Sequence, residues 1–460
     1  MKNILQDVAI INGSVITGDG HTHIARGSVR LHEGYVVEVR EGHSAGKADT
    51  FILDAAGCTT LPGIINAHAH GCLWGPTMPS GSLPFSHSDV IYHRNRHLLD
   101  GTTTLLNVCG LALAPEIGAA GGHTLDIHVS TAHTPSNVAA AMAIDGAGLS
   151  DRHKAMTVDA MIAGGAKALG EAGGGQTLGG GAQDYRFIPS AILAEAGISV
   201  HPRHARRLKE AIVGRALDGV GVVGKAELQQ LMEECGLSEY FAEARLRRLI
   251  EETVMPPVAL ALKGLWEIAE VAARTGLPAI FHTALPTINT LLQIAATYPT
   301  ANLVAGHANH PSFTVQETLD YASQLRALGV TIDVSTLDCV HTRFRNDPAN
   351  LDALVLVGLV DTISTDFAGG DWDSILSALQ RMINRHQVSP AIAVAFATGN
   401  VAAAFPQLAG DRGMIEPGRR ADLVVCESHN LSRVRHVLVN GAIAVWNGAI
   451  VQTSPSLANA

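Results

Sequence analysis

Aromatic residues are scarce, 4% of this 460-residue chain, which argues against the base-stacking platforms of single-strand nucleic-acid binders. Positive charge is also short. Forty-two acids face 32 bases, a formal net charge of −10, whereas a nucleic-acid or anionic-membrane partner calls for a basic surface. Charged residues make up 16% of the chain and hydrophobic ones 47%, a balance that excludes disorder and supplies a large core. The six cysteines (58, 72, 109, 235, 339 and 426) are dispersed with no C-x-x-C pair, so reduced thiols are expected. Cys72, two residues past a histidine pair, reads as a buried thiol rather than a soft metal ligand. No apolar run reaches the ~18 residues of a membrane span. Ala391–Phe405 comes nearest and is expected to be a core helix, interrupted at Thr398-Gly399-Asn400. The opening residues lack a secretory apolar stretch, since Val8–Ile11 is short and ends in Asn12-Gly13, and a cytoplasmic protein is expected.

What is there is an alternating pattern. Eight short apolar runs occupy Gly63–His70, Thr102–Val108, Leu125–Thr131, Ala166–Glu171, Pro278–Thr283, Asn302–His307, Val330–Thr336 and Asp361–Asp366. Helical patterns such as Pro256–Thr275 and Thr314–Leu328 lie between them. Eight βα units are the number that closes a (β/α)₈ barrel. The two ends differ from this middle. Residues 7–53 and the runs Ala421–Cys426, Val434–Val439 and Ala442–Trp446 read as strands with Asn-Gly turns. A small antiparallel β-sandwich domain is therefore expected from residues 1–60 plus 413–460, with the barrel at 61–412. A charge-rich helical insertion at about 181–255 follows the fourth run, where it would form a cap or lid over the barrel mouth.

His68 and His70, spaced i, i+2 on the first strand, project from one face, which suits a borderline cation such as Zn²⁺. His282 and His307 end the fifth and sixth runs, and Asp366 ends the eighth. Ligand-type residues at the C-terminal ends of several strands form the catalytic layout of this barrel. The fourth run offers Lys167 and Glu171. Four residues of strand place Lys167 about 13 Å deeper, so only Glu171 sits level with the other ligands. His133 ends the third run, either as a donor to a substrate oxyanion or as a satisfied loop histidine. Arg343, with Arg345, follows the seventh run, as a carboxylate clamp or as a solvated loop face. His310 stands outside the sixth strand, and His201, Arg203, His204, Arg206 and Arg207 read as a helix face.

The segment Pro62–His70 resembles the P-G-[FIL]-[IV]-[DN]-x-H-x-H motif of the amidohydrolase superfamily, with Asn66 where Asp is common. Gly413–Val425 is similar to that superfamily's C-terminal G-x-I-x-x-G-x-x-A-D-L-V motif. The likeness spans nearly the whole chain outside the insertion. The G-E-x-G at Gly170–Gly173, the F-H-T at Phe281–Thr283 and the A-T-G-N at Ala397–Asn400 look most like the enamidase branch. The resemblance implies two divalent metal ions, Zn²⁺ first with Fe²⁺ or Mn²⁺ as alternatives, held by His68, His70, Glu171, His282, His307 and Asp366. It implies hydrolysis of a small cyclic amide, enamide- or lactam-like, by a metal-bridging hydroxide, with Asp366 as proton shuttle. The alternatives are a Glu-bridged nucleobase deaminase, a dipeptidase, and a non-enzymatic scaffold or binding barrel. The expected partners are a small-molecule substrate and further copies of the chain in a homo-oligomer, with neither nucleic acid nor membrane.

Overall fold

The computed structural model describes residues 7–42, 50–174, 177–179, 181–336, 347–367, 374–385 and 387–451. The eight apolar runs form eight parallel strands: Ile64–Ala69, Thr102–Asn107, Asp126–Thr131, Ala168–Ala172, Ala279–His282, Leu303–Gly306, Thr331–Ser335 and Thr362–Ser364. They pair in chain order. Their burial along almost every residue is what a parallel sheet covered by crossover helices requires. The barrel closes where the eighth strand meets the first. Asp366 N–H donates to the His68 carbonyl at 2.9 Å and His70 N–H to that of Phe367 at 2.7 Å. Closure thus binds together three residues of the expected site.

Both termini build one nine-stranded sheet among the described residues. It is mixed rather than purely antiparallel. Asp7–Ile16 runs antiparallel to His23–His32 but parallel to both Phe51–Asp54 and Cys58–Pro62. Cys58–Pro62 pairs in turn with Leu423–Glu427. The chain passes from this sheet into the barrel at Gly63, whose N–H donates to the Asp422 carbonyl at 2.7 Å. A Cβ there would lie 2.2 Å from Thr103 Oγ1, so the crossing needs glycine. Asp422 is the acid of the C-terminal A-D-L-V motif. Its buried carboxylate lies 2.8 Å from Arg420 Nη2 and 3.2 Å from Arg412 Nε. Both arginines also reach Asp126, at the start of the third barrel strand. The motif therefore fastens the terminal sheet to the bottom of the barrel.

Two expected helices have other boundaries. Ala391–Phe405 is split into Pro390–Ala395 and Gly399–Ala404. At the break, the carbonyls of Phe396 and Ala397 accept from Ile363 and Ile65 N–H instead of continuing the helix. The helix expected to begin at Pro256 runs from Glu243 to Thr275 with Pro256 and Pro257 inside it. Leu246, Ile250, Val254, Val258, Ala261, Leu265, Ile268 and Ala272 are buried, one stripe at helical spacing straight through the prolines. Its packing offsets the ~3 kcal/mol that an interior proline costs. The insertion thus merges with a barrel helix. It has its own apolar core around Ile192, Leu208, Leu228 and Ile250. Arg215 docks it on the barrel flank, pairing with Glu317 and donating to the Ser312 carbonyl at 3.0 Å.

Candidate metal centre

The first strand supplies two imidazoles because its alternation places residues 66, 68 and 70 on the inner face. His68 and His70 are buried, with ring centroids 5.5 Å apart. Asn66 shares that face and sets the base of the site. Its Oδ1 accepts from Thr365 N–H at 3.2 Å and its Nδ2 donates to Thr365 Oγ1 at 2.8 Å. It therefore ties strand one to strand eight directly below Asp366.

Glu171 is buried at the centre of the cluster. His282 Nδ1 and His307 Nε2 lie 2.9 and 3.1 Å from its Oε1. His68 Nε2 and His70 Nε2 lie 3.8 and 3.7 Å from its Oε2. Each carboxylate oxygen thus faces its own pair of histidines. Burial opposes the charge on Glu171, but hydrogen bonds with His282 and His307 outweigh it and hold the carboxyl well below the usual range. Burial, followed by the neighbouring His307, pushes His282 down toward its neutral form.

Asp366 lies across from Glu171, its Oδ1 3.3 Å from both His68 Nε2 and His70 Nε2. Its side chain is 17% exposed against 3% for Glu171, so it faces the open side of the cluster. Asp366 and His307 adopt φ of +50° and +39°, a left-handed backbone that non-glycine residues take rarely and that concentrates at functional sites. Burial opposes its charge too, but His68 and His70 keep the Asp366 carboxyl well below its ordinary range.

The donor atoms fall into three groups, each within 4.8 Å: His68, His70 and Glu171; His68, His307 and Asp366; and Glu171, His282 and His307. Imidazole nitrogens and carboxylate oxygens thus converge in one largely buried cluster. His70 Nδ1 and His282 Nε2 are buried there with no hydrogen-bond partner among the described residues. Divalent cations are what such a buried set accommodates, and the N/O mixture suits zinc-like ions.

Other positions noted in the sequence belong to none of the three groups. Lys167 is half-buried just below the fourth strand and belongs to none of the three groups. Cys72 is buried as well, and burial pushes its thiol up to about 12. His133 is buried with Nδ1 3.0 Å from Thr131 Oγ1, and burial, followed by His153, pushes it down to about 4. Arg343, Arg345 and Cys339 lie outside the described residues. His310 packs its ring 5.5 and 5.6 Å from those of His282 and His307, with Nδ1 2.8 Å from Ser312 Oγ. Sequence reasoning did not anticipate Gly179. A Cβ on it would stand 3.5 Å from His282 Nε2 and 2.8 Å from the Ala284 Cβ, so Gly179 lies close against His282. No local pattern signals that contact, which joins two strand-end loops through space. Asn66 had a signal, its i−2 spacing from His68.

The model of the amidohydrolase family matches residues 182–447, more than half of the chain. The chain belongs to the amidohydrolase family. Amidohydrolases of this kind are metal-dependent hydrolases, and the His and Glu groups described above are of the type that holds divalent ions. Among solved structures, the chain is similar to a β-aspartyl dipeptidase from Fervidobacterium islandicum AW-1 in complex with a β-Asp-Leu dipeptide. That match has 16% identity and a TM-score of 0.58, covering 98% of this chain and 99% of the other. It is also similar to an N-isopropylammelide isopropylaminohydrolase from Burkholderia multivorans (15%, TM-score 0.52, 97% and 100% covered). A dihydropyrimidinase from Brevibacillus agri is a further likeness (14%, TM-score 0.51, 97% and 96% covered). No curated protein matches the chain. At such identities the likeness is one of fold. Among the described residues no helix is long and apolar enough to cross a membrane.

Proposed function

We propose that this amidohydrolase holds two divalent ions, zinc first, and opens the C–N bond of a small cyclic amide of the enamide or lactam kind. One observation carries the reading. The two oxygens of Glu171 face separate histidine pairs, His282 and His307 on one side, His68 and His70 on the other. A carboxylate so placed suits a bridge between ions. When bound, two such ions lower the pKa of a water between them and polarise a carbonyl.

The chain's own residues divide the remaining work. Glu171, sealed from solvent, keeps its charge and position. Asp366, on the more open side, takes the proton that the attacking water loses. It then returns that proton to the departing nitrogen as the C–N bond breaks. Asn66 and Thr365 hold the Asp366 backbone against strand one, which fixes the carboxylate relative to His68 and His70.

Metal analysis of the purified protein is expected to return two divalent ions per chain. A panel of lactams, hydantoins, enamides, dipeptides and purines should then show hydrolysis of the cyclic amides. One ion or none overturns the bridge. Turnover confined to purines supports the deaminase alternative, and turnover confined to dipeptides supports the dipeptidase.

A further inference from the structure

His310 packs on two of the ligand imidazoles without belonging to any of the three donor groups. Its ring centroid lies 5.5 Å from that of His282 and 5.6 Å from that of His307. The loop after the sixth strand holds it firmly. Its carbonyl accepts from Asn350 Nδ2 at 3.2 Å and from Phe313 N–H at 3.2 Å. Ser312 N–H donates to its ring Nδ1 at 3.1 Å. A ring nitrogen that accepts a main-chain N–H carries no proton of its own, so the imidazole is neutral with its hydrogen on Nε2. The Ser312 hydroxyl agrees. Its Oγ accepts from Leu285 N–H at 3.0 Å, which leaves the hydroxyl hydrogen for Nδ1, 2.8 Å away. The described hydrogen bonds of the ring both fall on Nδ1. Nε2 is not among the sealed nitrogens of the cluster, and His310 keeps 9% of its surface exposed. That edge adjoins the ligands. A Cβ on Gly179 would stand 3.4 Å from His310 Cε1, the carbon bonded to Nε2, and 3.5 Å from His282 Nε2.

We propose that His310 Nε2–H is a further catalytic donor of this centre, for the carbonyl oxygen of the scissile amide as that oxygen takes up negative charge. Its place in the reaction rests on the hydrolysis proposed above, whereas its tautomer does not. Nε2 already holds the hydrogen and Nδ1 is engaged by Ser312, so the ring acts as a donor and not as a base. A donor fixed in advance costs no reorganisation as charge develops, which is how an oxyanion hole works. The proton carrier stands elsewhere. Asp366 lies against His68 and His70, whereas His310 packs on His282 and His307. The departing nitrogen and the carbonyl oxygen thus have separate partners.

The test uses metal-loaded full-length protein, with pyrrolidinone and hydantoin as substrates and a five-membered cyclic phosphinate as binding probe. The tetrahedral, anionic phosphorus of that probe resembles the carbonyl carbon after attack. Nitrogen NMR of histidine-labelled protein, with the His310 signals identified by their loss in His310→Phe, is expected to show a bare Nδ1 and a protonated Nε2. A proton on Nδ1 overturns the assignment. His310→Phe keeps a flat ring and removes the donor. It should lower kcat about 10²–10³-fold, the usual loss of one oxyanion donor, with KM changed by less than about threefold. Phosphinate binding, read by calorimetry, should weaken about 10–150-fold, the worth of one hydrogen bond to a charged group. Metal content should hold. His310→Gln sets an amide N–H near the Nε2 position and should recover at least about tenfold of the kcat loss. Loss of an ion from either variant would make His310 a ligand and overturns the assignment. So does a lower melting temperature with kcat and phosphinate affinity unchanged, the mark of a structural role. If lactams are hydrolysed but neither kcat nor phosphinate affinity depends on His310, the donor falls and the reaction stands. If phosphinate affinity depends on His310 while no cyclic amide is opened, the donor stands and the proposed reaction falls. Absence of both hydrolysis and phosphinate binding overturns both.

Discussion

Glu171 and Asp366 are both buried carboxylates among the same histidines, yet their surroundings assign them different work. Glu171 has each oxygen against two imidazoles and almost no exposure, which suits a fixed bridge. Asp366 keeps a partly open edge, which suits a proton carrier. Asp366→Asn preserves shape and a carbonyl ligand but cannot carry a proton. It is expected to cut kcat by ~10²–10⁴-fold with metal content little changed, as read by single-turnover rates on folded protein. Near wild-type chemistry would remove Asp366 from the mechanism. Glu171→Ala should lose metal and activity together, whereas Lys167→Ala should keep both. The opposite result, with bicarbonate restoring an apo preparation, would move the bridge to a carboxylated Lys167.

At the scale of elements, one continuous stretch serves two structures. Residues Cys58–Pro62 belong to the terminal sheet, and Ile64–Ala69 opens the barrel and carries His68. Gly63 between them has no room for a side chain against Thr103. Gly63→Ala should destabilise by about 1–3 kcal/mol, the usual cost of overpacking, seen as a lower melting temperature. A second change, Thr103→Ala, should recover part of it. If Gly63→Ala melts like wild type, the junction is looser than its geometry says. The long helix Glu243–Thr275 makes a similar point, since its buried stripe carries it through two prolines that local propensity would place at its start.

Across the whole molecule, burial of histidines ties stability to pH. Burial, followed by His93 and Arg96, pushes His97 down to about 3. His133, pushed down mainly by burial, stands at about 4. Unfolded, each takes up a proton near 6.5. Between that value and the folded ones the unfolded chain binds more protons, so stability falls as pH falls through this window. Each contributes up to about 1.4 kcal/mol per pH unit. The melting temperature is expected to drop from about pH 6.5 downward, and His133→Gln should make the drop shallower. An unchanged slope would mean that His133 already titrates normally in the fold.

The sequence by itself determined the parts that depend on short-range periodicity. Eight apolar runs set the barrel strands, and the i, i+2 spacing put His68 and His70 on one face. Strand-end positions marked His282, His307 and Asp366, because in a parallel barrel all strand ends of one polarity meet at one mouth. Depth along the fourth strand separated Glu171 from Lys167. Other features depended on contacts between segments far apart in the chain. The mixed pairing of the terminal sheet, the helix break at Thr398 and the uninterrupted helix across Pro256-Pro257 each follow from such partners. So do the clamp of Asn66 on Thr365 and the close approach of Gly179 to His282. Local propensities are worth fractions of a kcal/mol per residue, whereas burying a side chain or satisfying a buried polar group is worth ~1–3 kcal/mol. Where the two disagreed, tertiary packing decided.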